Sequence, residues 1–205
     1  MSKYIHIYCF SINSFYLCDI NFNSLKDMSK RNNFIWKGIQ VICWLIFFGY
    51  CIQTGALIFN YVFSLFKPIA THNLHLGLDL SELYLKSKSI YTLVFALIVA
   101  VSALKAYLFF VVLKLFKTLN LTKPFSENVS GIITKITYYT LSIGIISIIA
   151  QEVVSQLSDK GYNVGIVERY WSDGGAYLLM TAILFAIAFI LKKCIELQNE
   201  NDLTV

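Results

Sequence analysis

Charge is scarce in this sequence. Asp, Glu, Lys and Arg make up 14% of the chain, where a water-soluble domain carries roughly 25%. Hydrophobic residues make up 57%, and they come in blocks. This excludes an ordinary soluble domain and marks an integral membrane protein. Proline is almost missing, with two in 205 residues. The five cysteines (Cys9, Cys18, Cys43, Cys51 and Cys194) are scattered and none lies in a loop between apolar blocks. That spacing gives no disulfide framework and no zinc motif, so they read as small apolar fillers. No Walker loop, dinucleotide glycine fingerprint, nucleophile elbow or HExxH motif occurs. We therefore expect a non-enzymatic protein, with no cofactor and no metal.

Four apolar blocks reach the roughly 20 residues that span a bilayer. They run over about residues 39–66, 90–115, 132–154 and 176–191. The first is too long and too far from Met1 for a cleaved signal peptide. It exceeds what a bilayer needs, so tilt is expected.

The net charge of +5 is no nucleic-acid signal, and no direct nucleic-acid binding is expected. Its distribution carries more. Lys26, Lys30, Arg31 and Lys37 precede the first block. Lys114, Lys117, Lys123 and Lys135 surround the connection between the second and third, and Lys192 and Lys193 follow the fourth. Lys67, Lys86, Lys88, Lys160 and Arg169 occupy the other two connections. Cytoplasmic loops carry the excess of Lys and Arg. The expected topology has both termini and the middle connection cytoplasmic. The fold class is all-α, a polytopic membrane protein with four transmembrane helices in a bundle at residues 34–195.

Residues 1–27 form a mixed aromatic and polar string without an amphipathic period. Met28-Ser29-Lys30-Arg31 opens a basic lead into the first block. Translation is expected to start at Met28, with 1–33 otherwise a cytoplasmic segment. The first external connection alternates leucines with polar residues and reads as interfacial. In the middle connection, Pro124 pushes Lys123 out of the α region, and the preceding helix should end near Asn120. Ser126 is then a plausible N-cap with Glu127 in the first turn. In the second external connection the glycines point to turns, and Tyr170 and Trp171 read as interfacial aromatics.

Lys105 is the most suggestive single residue. It lies mid-block, where a charge costs a few kcal/mol. It either faces a cavity, with a functional role, or packs inward or snorkels. No carboxylate is expected at a matching depth; Glu152 is near an outer end, which weakens a proton-relay role. His72, His75, Asp79 and Glu82 have a spacing that could hold a metal, which is weak evidence. Ala96/Ala100 and Ala182/Ala186 are small-xxx-small pairs that let helices approach. Packing within one bundle explains them more simply than a homodimer.

The end of the chain is distinctive in wording. Glu196-Leu197-Gln198-Asn199-Glu200-Asn201-Asp202-Leu203-Thr204-Val205 resembles the closing signature of the bacterial four-span membrane family known as domain of unknown function 2975. Lys123-Pro124-Phe125-Ser126-Glu127-Asn128 resembles the same family's segment between its second and third spans. The resemblance implies a location in the bacterial inner membrane. It also implies a neighbouring gene for a small cytoplasmic helix-turn-helix regulator, and so a sensor or modulator paired with that regulator. The tail residues Glu196, Gln198, Glu200, Asp202, Leu203 and Val205 are the candidate docking surface, since a chain end of this shape suits strand-addition grooves. A solvated helix end is the simpler reading of each. The alternative function is a small transporter or ligand-binding membrane protein with Lys105 facing a cavity.

Overall fold

The structure is a computed structural model. It describes the backbone of residues 3–67, 71–72, 74–119 and 126–202, and side chains within those ranges from residue 35 onward, Leu76 and residues 201–202 apart. The described chain is helical: α1 (Lys3–Phe66), α2 (Ser81–Lys86), α3 (Lys88–Thr118), α4 (Glu127–Asp159) and α5 (Gly174–Asp202), with 3-10 turns at His75–Gly77 and Gly165–Tyr170. Four stretches are long and apolar enough to cross a membrane: Ile35–Phe66, Lys88–Thr118, Glu127–Asp159 and Gly165–Glu200. The chain divides into two units, residues 1–42 and 43–205. The first is the leading part of α1. The expectation for residues 1–27 falls on side chains outside the described set.

In the second unit α4 packs between α3 and α5. The apolar windows of α3 and α4 are 44% buried, those of the first and last spans 11%. Leu45, Ile52 and Phe59 of α1 and Leu179, Phe189 and Ile190 of α5 are more than half exposed. Such faces are stable only against hydrocarbon or another apolar surface. From Cys43 onward α1 meets α3 through aromatic rings. Tyr50 stacks on Phe109, and Tyr61 lies against Tyr91 and Phe95. Ser64 donates to the Tyr61 carbonyl at 2.7 Å, so the Tyr91 hydroxyl donates to Ser64 Oγ, also at 2.7 Å.

The helix ends follow local chemistry. Ser126 caps α4, its hydroxyl accepting from Val129 N at 3.4 Å, with Glu127 in the first turn, as expected. Ser87 caps α3 in the same way through Ile90 N. Helix α3 ends at Thr118, close to the expected stop; Pro124 lies outside the described residues. Hydroxyls that would be costly in hydrocarbon are returned to the helix's own backbone. Thr134, Thr137, Thr140 and Ser142 donate to carbonyls one turn earlier.

The far end of α4 closes with a Schellman motif. Gly161, at φ +79°, donates to Ser158 O, and Tyr162 N donates to Leu157 O. Nothing lies within 4 Å of where a Gly161 Cβ would stand, so an alanine there meets only backbone strain. Gly161→Ala is expected to cost about 1 kcal/mol, read as a lowered thermal midpoint in detergent micelles. No loss would show that the turn relaxes out of the left-handed region.

The first connection folds over the helix ends. Leu74, Leu78, Leu80 and Leu83 are at most 2% exposed. They join Leu57, Tyr91, Phe95, Val154 and Trp171 in one core. Asp79 accepts from Ser81 N and Ser81 Oγ at 3.0 and 2.7 Å, organising the start of α2. Those bonds, helped by His72, hold its carboxyl below the ordinary range. The contribution is therefore present at neutral pH and lost as acid protonates Asp79. Lys86 ties this layer to the next connection through Gly161 O at 3.1 Å.

Candidate functional site

The connection between α4 and α5 does not stay at the helix ends. Gly174, the first residue of α5, sits so close to Ser147 that a Cβ on the glycine would meet Ser147 Cβ at 2.7 Å. Helix α4 runs on for another 12 residues, to Asp159, about 18 Å at 1.5 Å per residue. The segment 160–173 therefore dips back between the helices before α5 begins. Irregular backbone at such a depth is tolerated only where protein buries it. Val164, Val167, Tyr170 and Trp171 are at most 5% exposed. This corrects the reading of Tyr170 and Trp171 as interfacial aromatics: they are wedged into the core beneath the first connection.

The dip brings a carboxylate to the depth of Lys105. Lys105 is 6% exposed and lies on α3 between the two apolar clusters, just past Ile98 and before Leu108. Its Nζ donates to Asp173 Oδ2 at 2.8 Å and Oδ1 at 2.9 Å, and to the Tyr170 carbonyl at 3.2 Å. The Tyr177 ring lies 5.4 Å from the ammonium. Asp173 directly precedes α5, where its charge also meets the positive helix end. The pair thus has four stabilising features: bidentate bonding, a carbonyl partner, a ring face and the start of α5.

This corrects the expectation that no carboxylate lies at the depth of Lys105: Asp173, from a connection, is its partner. Asp173 was hidden because it stands in a connection, 68 residues from Lys105. The available signal was the run Gly165–Trp171, whose Ile166, Val167, Tyr170 and Trp171 are apolar enough to enter the membrane with the fourth span. Among the described residues, cavities open between helices, two of which have defined linings. One of 440 Å³ lies among Phe47, Cys51, Thr54, Ala106 and Phe110. The other, of 240 Å³, lies between α4 and α5. Lys105 lines neither.

The other candidates scatter. His72 approaches Asp79 at 3.7 Å, and among the described residues no group of three or more His, Cys, Asp or Glu could hold a metal ion. Cys43, Cys51 and Cys194 are free thiols. Ala182 and Ala186 are exposed on α5, so packing within the chain does not account for them; the tight approach is at Gly144, Ser147 and Gly174 instead. The tail does not break from the last helix, which runs on to Asp202. Glu196 is bound by Lys193 at 2.6 Å. Gln198 and Glu200 are exposed, while the Asp202 side chain, Leu203 and Val205 lie outside the described residues.

No curated protein and no solved structure matches the chain. A family model described as protein of unknown function (DUF2975) matches residues 75–205, a stretch holding Lys105, the dipping segment, Asp173 and three of the four apolar helices. On that match, which covers well over half of its length, the chain belongs to the domain of unknown function 2975 family.

Proposed function

We propose that the protein is a non-enzymatic membrane sensor or modulator acting on a small cytoplasmic helix-turn-helix regulator. The observation that carries this reading is the Lys105–Asp173 pair at 2.8 Å. It latches α3 to the residue directly before α5, and α5 continues without a break toward the acidic tail. A disturbance of the dipping segment that opens the pair would shift the α5 start, and a rigid helix carries such a shift to its other end. The Lys and Arg bias supports placing both termini on the cytoplasmic side of a bacterial inner membrane, which puts Glu196, Gln198, Glu200, Asp202, Leu203 and Val205 within reach of a soluble partner. The outward Ala182 and Ala186 leave room for a homodimer. The transporter reading asks for a cavity at Lys105. The closure of its ammonium by Asp173, Tyr170 and Tyr177 favours the latch.

The test is recovery of the small regulator on the full-length membrane protein. Capture is expected with the intact chain and is expected to fall at least tenfold when residues 196–205 are removed. Equal recovery without them would remove the docking role of the tail. No capture by the intact chain would remove the partner.

A further inference from the structure

We propose that the groove between α4 and α5 near the α5 C-terminus is a binding site for an anionic phospholipid. The groove has a volume of 240 Å³ and is walled by Thr137, Tyr138, Phe185, Ala188 and Phe189, with Lys192 at one end. Phe185 and Phe189 are 57% and 62% exposed, and Tyr138 57%, so the groove opens sideways toward hydrocarbon. The Thr137 hydroxyl is spent on Ile133 O at 2.9 Å, which leaves the wall apolar to an entering chain. From Phe185 to Lys192 the groove follows two turns of α5, about 10 Å.

The position of Lys192 names the head group. The apolar run of α5 stops at Leu191, so Lys192 stands at the boundary where lipid phosphates lie. Glu196, one turn further on, is hydrogen-bonded by Lys193 at 2.6 Å and feels the charge of Lys192 as well. Lys192 is exposed and makes no ion pair among the described residues. An apolar slot with a cation at its interfacial end is complementary to an acyl chain carrying a negative head group. The inference is independent of the Lys105–Asp173 latch.

The test uses the full chain in detergent micelles and native mass spectrometry. It compares dioleoyl phosphatidylglycerol with dioleoyl phosphatidylcholine, which share acyl chains. Retention of the anionic lipid is expected to exceed that of the zwitterionic one by about fivefold, the order one interfacial lysine supplies. Lys192→Gln is expected to bring the ratio close to one, and Lys193→Gln to leave it in place. Ala188→Phe, which fills the slot, is expected to lower retention of both lipids. Soluble glycerol phosphate should not compete. Equal retention of the two lipids by the wild type would overturn the proposal, as would equal effects of the two lysine substitutions. Competition by glycerol phosphate would make this a free-anion site and would also overturn it.

Discussion

Asp173→Asn is expected to be the most damaging single change in the connections, costing about 2–3 kcal/mol. Breaking a buried ion pair costs about 3–5 kcal/mol because the surviving charge stays buried. Here the two partners are unequally exposed. The Lys105 side chain is 7% exposed and the Asp173 side chain 43%, so solvent screens the aspartate's share and lowers the figure. Without the carboxylate, the ammonium keeps only neutral partners: the new amide oxygen, the Tyr170 carbonyl and the Tyr177 ring. Lys105→Met should be milder, about 1 kcal/mol, since it leaves a carboxylate that water can reach. The double substitution Lys105→Met with Asp173→Asn should recover most of the loss, because it removes the buried charge instead of orphaning it. Thermal unfolding of the four proteins in one detergent decides the matter. If the double variant is no better than Asp173→Asn alone, the buried ammonium is not what needs the partner. If Lys105→Met is the worse single variant, the asymmetry argued from exposure is wrong.

Gly174→Ala is expected to loosen the contact between α4 and α5 and to cost about 1–3 kcal/mol, the usual range for overpacking a tight core. The added Cβ would stand 2.7 Å from Ser147 Cβ. That atom is fixed to the α4 backbone, so a rotamer change gives no relief and the helices themselves must part. Gly144→Ala makes an instructive control. Its Cβ would meet Leu178 Cδ2 at 2.6 Å and Cγ at 2.9 Å, and much of that side chain can swing away. It should cost less than Gly174→Ala. Ser147→Gly in the Gly174→Ala background should restore stability, since it deletes the opposing Cβ. The serine hydroxyl has no hydrogen-bond partner, so the rescue should fall short only by the roughly 0.5–1 kcal/mol that a glycine costs inside a helix, a cost that Ser147→Gly alone measures. Failure of that rescue would show that the cost arises at the start of α5 and not in the contact with α4.

The parts of the fold legible in the sequence share one property: their causes are local. An apolar run of sufficient length needs only the bilayer to make it a span, and all four runs are helices. The Ser126 cap is set within four residues. The ends of the runs were less legible. Helix α4 extends from Glu127 to Asp159 and α5 to Asp202, beyond the apolar blocks on which the expected bounds were drawn. Backbone hydrogen bonding continues a helix past the point where its side chains cease to be oily.

The first connection shows the converse. Its alternating leucines gave no clear period, because they serve a cap packed on the ends of α1, α3 and α4 and not one face of a regular element. Tyr170 and Trp171 were misread for a related reason. Aromatic residues next to a span usually lie at the interface, and here the segment carrying them turns inward.

The sequence by itself determined the class of protein, the four apolar helices, the family and the lysine in the middle of an apolar block that has to be accounted for. Low charge density and long apolar runs are sums over neighbours, and no three-dimensional arrangement is needed to read them. Only the tertiary structure decided how Lys105 is neutralised. The depth to which a connection returns between helices depends on the Gly174–Ser147 approach. That approach is a contact between residues 27 apart in the chain, with no periodic trace in composition. The same approach places Asp173 beside Lys105, and a buried ammonium is stable at that depth because the connection carries its counter-charge inward with it.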